Sequence, residues 1–216
     1  MTQKHPRKPL PGGLMCLTLE TAPIDAIAQA RRLSAAGARM VQLRIKTPLP
    51  HTTLRKTAEA FVMACHENGA LAIINDTVRL ALESGADGVH LGREDMPWAE
   101  ARALLGEDMI IGGTINNPAD VVRAREAACL DYVGVGPLRF TGTKKKLAPV
   151  LGLGGVTELI EQLGELPAYV IGGVREEDLA GVRVAGAAGV AVCASLHEHG
   201  ALEANYRRLA GEWISK

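Results

Sequence analysis

At 216 residues and 47% hydrophobic content, the chain is long enough for one large core and fits a single α/β domain better than two small ones. Lysine plus arginine and aspartate plus glutamate each number 24, which removes the electrostatic case for nucleic acid or an anionic membrane surface as the main partner. The four cysteines, Cys16, Cys65, Cys129 and Cys193, form no C-x-x-C pair; they argue against zinc or a disulfide framework and for reduced, mostly buried thiols in a cytoplasmic protein with no transmembrane span.

Residues 1–13 are basic and rich in proline and glycine, and read as a flexible tail ahead of one domain over 14–216. Beyond them, short apolar runs alternate with longer stretches of helical periodicity. Strands are expected over 14–19, 39–45, 71–75, 88–92, 109–114, 132–137, 168–174 and 189–196. Helices are expected over 23–36, 52–68, 97–105, 118–128, 156–163, 176–185 and 201–214. Pro23, Pro97 and Pro118 fall in expected first turns, and Gly37, Gly69 and Gly106 close expected helices. About eight βα units in so short a chain match a compact (β/α)8 TIM barrel, with a doubly wound open sheet as the runner-up. The fragments at 36–38, 84–89 and 185–190, each pairing glycine with small residues at a helix-to-strand junction, favour the barrel as structural punctuation.

The chemistry-bearing residues gather where strands end. In the second strand Val41, Leu43 and Ile45 face one way and Gln42, Arg44 and Lys46 the other; placing the polar set inside the barrel mouth makes sense if an anion meets the cations. The competing reading pairs Arg44 with a structural carboxylate and takes Lys46 out of the strand. Asn75 and Asp76 end the third strand, His90 faces inward from the fourth, and Asp95 lies a few residues further on. Two carboxylates from adjacent strand ends suit Mg²⁺ holding a diphosphate better than zinc. Taken singly, each aspartate reads as a helix cap, Asp76 for a helix beginning at Thr77, and His90 as a core histidine.

The sixth strand presents Tyr132, Gly134 and Gly136 on one face, leaving room for a ligand beside an aromatic wall. The loop after it, 139–146, brings hydroxyls and a lysine run that suit a phosphate lid, against the plainer reading of a solvated basic loop. Gly172-Gly173 ends the seventh strand and residues 192–195 the eighth, where barrels commonly bind phosphate through backbone amides. The His197-Glu-His199 stretch reads as a solvated helix start, because residues two apart on a helix do not face together.

Together the motifs Val-Gln-Leu-Arg-Ile-Lys (41–46), Ile-Asn-Asp (74–76), Gly-Val-His-Leu-Gly-Arg-Glu-Asp (88–95), Asp-Tyr-Val-Gly-Val-Gly-Pro (131–137), Thr-Gly-Thr-Lys (141–144) and Ile-Gly-Gly-Val (171–174) resemble the thiamine phosphate synthase family from about residue 14 to 196. The resemblance implies a barrel enzyme that joins hydroxymethylpyrimidine diphosphate to a thiazole phosphate and releases pyrophosphate. It implies Arg44, Lys46, Asn75, Lys144 and the Thr114 hydroxyl at the diphosphate, with Asp76 and Asp95 on Mg²⁺. Gln42, His90 and Tyr132 would surround the pyrimidine; Thr141, Thr143, Gly173 and the backbone near Cys193 and Ala194 would take the thiazole phosphate. This chain departs from the family pattern at Thr114, Ile45, Arg139-Phe140 and Cys193-Ala194, of which Arg139-Phe140 bears most on lid contacts with the pyrimidine. A thiazole tautomerase-like paralogue and a non-catalytic phosphate-binding barrel are the alternatives, and the sequence leaves open whether copies of the chain assemble into a homo-oligomer.

Overall fold

A computed structural model describes residues 10–140 and 148–215 of the chain. Eight parallel strands close into one barrel in sequence order, with β1 (Gly13–Leu17) hydrogen-bonded to β8 (Gly189–Val192). Between them lie β2 (Met40–Leu43), β3 (Leu71–Asn75), β4 (Gly88–Leu91), β5 (Ile110–Ile115), β6 (Tyr132–Val135) and β7 (Ala168–Ile171). The closed β1–β8 ladder rules out the open doubly wound sheet. Helices α1 (Ala26–Ala35), α2 (His51–His66), α3 (Val78–Ser84), α4 (Trp98–Leu105), α5 (Pro118–Ala127), α6 (Gly152–Leu163) and α7 (Leu179–Val184) alternate with the strands. A single turn, α8 (Ala194–His197), and α9 (Leu202–Ile214) follow β8. Among the described residues no helix is long and apolar enough to cross a membrane.

Strand alternation divides the apolar residues into two bodies. Val41, Leu43, Ile74, Val89, Val133, Val170 and Val190 point outward and form the layer that the helices cover. Met15, Leu17, Met40, Ile73, Ile110, Tyr132, Tyr169 and Ala191 point inward and plug the barrel. Each such side chain fully removed from water contributes about 1.5–3 kcal/mol, so the plug is a packed floor and not a pore. Two glycines make room for its aromatics. A β-carbon on Gly112 would lie 2.1 Å from Tyr132 Cζ, and one on Gly189 would lie 2.7 Å from Tyr169 Cδ1. The two tyrosine rings meet edge to face at 5.5 Å, and the Tyr169 hydroxyl donates to the Pro11 carbonyl at 2.5 Å.

Several expected boundaries shift. The second strand ends at Leu43, not Ile45, because side chains take over from the ladder: the Arg44 amide donates to Thr18 Oγ1 and the Lys46 amide to Glu20 Oε2. The seventh strand ends at Ile171, since Gly172 and Gly173 adopt φ of 94° and 67°, outside strand geometry. The eighth ends at Val192, and Ala194 and Ser195, expected in a strand, lie in α8. Helix α1 starts at Ala26, past Pro23, where the Asp25 carboxylate accepts from the Ala28 amide at 2.8 Å. Helix α3 has only seven residues, too few for a strong periodic signal, and closes on the left-handed Gly85.

At the amino-end face, opposite the mouth, Arg102 of α4 is a buried guanidinium with every edge occupied. It donates to the Gly106, Met109 and Cys129 carbonyls and to Asp131 at 2.6 Å. Asp131 also accepts from the Ile111 amide at 2.7 Å, and Asp87 does the equivalent for Ala72 at 2.9 Å. Each of these aspartates, one residue before the Gly88 start of β4 or the Tyr132 start of β6, ties its strand to the neighbouring one.

Candidate active site at the barrel mouth

The first corner of the mouth lies beyond β2, β3 and β4. Thr18 and Glu20, in the loop after β1, fix the backbone of residues 44–47: Glu20 accepts from the Lys46 amide at 2.8 Å and the Thr47 amide at 3.0 Å. Burial would raise the Glu20 carboxyl, but these two amides and the Arg44 charge outweigh it and hold it below its ordinary value. Arg44 is half-buried, and its charge also reaches Cys193 at the end of β8. The Lys46 ammonium pairs with the Asp76 carboxylate. Asp76 sits in the left-handed region at φ 67°, unusual for a residue with a side chain, its amide donating to the His90 carbonyl at 2.8 Å.

Asp95 lies close enough to Asp76 for the two carboxyl groups to act on one another electrostatically. Burial pushes the Asp95 carboxyl up; the Gly92 amide at 2.7 Å opposes this, the Asp76 charge adds to it and Lys46 offsets part, leaving the group above its ordinary value. Neither aspartate caps a helix. Thr77 and Pro97 hold the N-cap positions of α3 and α4, without side-chain capping bonds. Two partly buried carboxylates so near one another repel, and a cation between them would remove that cost. Among the described residues no group of three or more histidine, cysteine, aspartate or glutamate side chains clusters as a metal cage. The donor set fits a hard cation that takes one or two carboxylates and completes its shell with phosphate and water oxygens, the habit of Mg²⁺.

The second part of the site is a hydrogen-bonded chain over the barrel plug. His90 Nδ1 lies 3.1 Å from the Tyr132 hydroxyl and His90 Nε2 lies 3.0 Å from Thr114 Oγ1. Gln42 Nε2 donates to Met15 Sδ at 3.6 Å and lies beside the same Tyr132. Asn75 stands beside His90 in the β3–β4 register. Tyr132 was expected as a wall at the mouth; it is 0% exposed and forms the floor under His90, because Gly112 leaves the space beneath it empty. Burial pushes its phenol far above the ordinary range, so it stays neutral.

The third part surrounds β6, β7 and β8. Gly172 and Gly173 lie against Pro137 and Arg139-Phe140, and Gly136-Pro137 is a cis peptide. Arg139 was weighed as a contact to a ligand in the lid; its guanidinium instead engages Asp178 at 2.5 Å. Cys193 precedes α8, half-buried, its thiol pushed by burial to about 11 against the opposing pull of Arg44, which makes it a poor nucleophile. Ala194 is exposed beside it. Thr141, Thr143 and Lys144 lie outside the described residues. His197 is not solvated as expected: its Nε2 is buried and has no hydrogen-bond partner among the described residues, while His199 is exposed.

Sequence reasoning missed Thr18 and Glu20, which position the Arg44–Lys46 segment, and Arg139-Asp178. The signal available for the first pair was a hydroxyl and a carboxylate two apart at the end of β1, a polar pattern matching that of the neighbouring strand ends.

A closed parallel eight-stranded barrel with charged side chains and a paired-glycine turn gathered on its carboxyl-end face defines the class, a (β/α)8-barrel protein. The family model described as thiamine monophosphate synthase matches residues 14–196. A thiamine-phosphate synthase from Bacteroides fragilis is 40% identical over 187 residues, covering 85% of this chain and 91% of that protein. One from Myxococcus xanthus is 44% identical, covering 84% of each. The solved thiamine phosphate pyrophosphorylase from Pyrococcus furiosus superposes with a TM-score of 0.82 at 26% identity, covering 94% of this chain and 97% of that one. The chain belongs to the thiamine monophosphate synthase family, and is with it an enzyme of the transferase class.

Proposed function

We propose that this enzyme makes thiamine phosphate by joining hydroxymethylpyrimidine diphosphate to hydroxyethylthiazole phosphate, with Mg²⁺ at Asp76 and Asp95. The observation that carries the reading is the Lys46–Asp76 ion pair with Asp95 close by. A like-charge pair so placed is costly without a cation, and the cations around it have no use without an anion. Mg²⁺ bound there neutralises charge on the diphosphate. Arg44, Lys46, Asn75 and Thr114 hold the diphosphate oxygens, and the family resemblance adds Lys144 to them. Arg44, Lys46 and Lys144 carry roughly three positive charges against about three negative ones on the diphosphate.

In this reaction the C–O bond from the pyrimidine methylene carbon to the diphosphate breaks, its electron pair leaving with pyrophosphate. The aminopyrimidine stabilises the positive charge left on that carbon, and the thiazole nitrogen supplies the pair for the new C–N bond. The protein supplies orientation and leaving-group stabilisation. Gln42 and His90 fix the pyrimidine from the floor, with Tyr132 holding His90 from beneath, and Gly173 with the backbone near Cys193 and Ala194 receives the thiazole phosphate. No enzyme nucleophile takes part, in keeping with the raised Cys193 thiol.

The test is pyrophosphate binding followed by calorimetry, with and without Mg²⁺. Binding that needs Mg²⁺ in the parent protein and disappears in Asp76→Ala is expected. Asp76→Ala with near-normal metal-dependent binding would remove the metal assignment. Metal-independent behaviour throughout would favour a tautomerase-like or binding-only barrel.

A further inference from the structure

Two loops that reach the mouth from separate strands are tied together by one carboxylate. Asp178, whose side chain is 11% exposed, accepts the Arg139 guanidinium through both oxygens, at 2.5 Å to Oδ1 and 3.1 Å to Oδ2. Its Oδ2 also accepts from the Arg175 amide at 2.9 Å. Arg139 follows β6, whereas Arg175 lies two residues past Gly173, so this single side chain spans the segment leaving β6 and the glycine turn leaving β7. The backbones are joined as well: the Leu138 amide donates to the Ile171 carbonyl at 2.9 Å and the Arg139 amide to the Gly172 carbonyl at 2.8 Å. The approach leaves no slack at the glycines. A β-carbon on Gly173 would lie 2.9 Å from both Arg139 Cβ and the Phe140 carbonyl oxygen. Two-pronged guanidinium–carboxylate pairing fixes geometry as well as charge, which a single surface contact does not.

Resting on the reading that the Gly173 backbone receives the thiazole phosphate, we propose that Arg139 and Asp178 form a latch that positions the Gly172-Gly173 turn and thereby sets the grip on the phosphate of the thiazole substrate. The pair touches no reacting atom; both are positioning residues. The latch also gives Arg139, whose contact with the pyrimidine the sequence leaves open, a supporting role for the other substrate. Its mark is selectivity: weakening the latch affects the phosphate-bearing thiazole and spares the pyrimidine diphosphate held at the opposite corner.

The experiment measures binding of each substrate by calorimetry for the full-length protein and for Arg139→Ala, Arg139→Lys, Asp178→Asn and the Arg139→Ala/Asp178→Asn double variant. Asparagine keeps an oxygen for the Arg175 amide and loses the charge, which separates the latch from simple support of the turn. The latch predicts that Arg139→Ala and Asp178→Asn each weaken thiazole phosphate about tenfold, a displacement of one charge-assisted contact. The double variant should be no weaker than either single one, with partial recovery in Arg139→Lys. Binding of the pyrimidine diphosphate with Mg²⁺, and of the thiazole alcohol lacking phosphate, should change less than about twofold on the same scale. Equal losses for both substrates, additive losses in the double variant, or no loss for thiazole phosphate would each overturn the latch alone. A parent protein that takes the pyrimidine diphosphate but not the thiazole phosphate would overturn the Gly173 assignment and the latch with it.

Discussion

Replacing Gly112 by alanine puts a methyl group where the Tyr132 ring already is. The new β-carbon would sit 2.1 Å from Tyr132 Cζ and 2.5 Å from its hydroxyl oxygen, far inside contact distance. Tyr132 is 0% exposed and packed edge to face on Tyr169, so the ring has no solvent to swing into. Overpacking of this kind costs about 1–3 kcal/mol, and losing the hydroxyl contact to His90 adds about 0.5–1.5 kcal/mol. The sum, about 3 kcal/mol, corresponds to a midpoint lowered by roughly 6–12 °C for a domain of this size. The control is Gly211→Ala in α9, where a β-carbon would meet nothing within 4 Å. There the same chemical change should stabilise by roughly 0.5–1 kcal/mol, because alanine loses less backbone entropy in a helix. Thermal unfolding followed by circular dichroism reads both, and turnover of Gly112→Ala at a temperature where it remains folded reads the site. A Gly112→Ala protein as stable as Gly211→Ala, or one with normal turnover, would refute the argument that Tyr132 is fixed by the space Gly112 leaves.

Two further outcomes follow from the charged groups. Arg102→Ala leaves the Gly106, Met109 and Cys129 carbonyls without this donor and Asp131 without its counter-ion at 6% exposure, so it should cost about 3–5 kcal/mol in urea unfolding; a loss under about 1 kcal/mol would contradict it. At Asp178 burial raises the carboxyl, but Arg139 and the Arg175 amide more than compensate and leave it below the ordinary 3.8. A carboxyl depressed by folding stabilises above its unfolded value and loses that contribution as pH falls through the folded one. The stability gap between the parent and Asp178→Asn should therefore be constant above about pH 5 and close on further acidification, whereas a gap independent of pH would deny the ionised pair.

The barrel was legible because its two periodicities are strong: apolar runs for strands buried on both faces, and long amphipathic stretches such as 52–68. The alternation that sent Gln42 and Arg44 inward and Val41 and Leu43 outward follows from strand geometry alone, and the two apolar bodies obey it. What escaped depends on partners distant in sequence. Nothing near Arg102 announces that Asp131 and three carbonyls will surround it. The end of β2 is set by Thr18 and Glu20, more than twenty residues upstream, and the descent of Tyr132 into the floor is set by Gly112 on the adjacent strand. The role of Arg139 stayed open in the sequence because Asp178, its partner, is 39 residues away. Asp76 and Asp95 read as caps one at a time and as a pair together, and the N-cap positions held by Thr77 and Pro97 show that neither serves a helix.

The central claim is chemical, and the most direct measurement is product formation. Purified protein is mixed with hydroxymethylpyrimidine diphosphate, hydroxyethylthiazole phosphate and Mg²⁺, and thiamine phosphate and pyrophosphate are followed by mass spectrometry, with EDTA added in parallel. The account predicts the two products in equal amounts, abolished by EDTA and restored by excess Mg²⁺. A folded protein that binds both substrates and forms no thiamine phosphate, or forms it undiminished in EDTA, would contradict it.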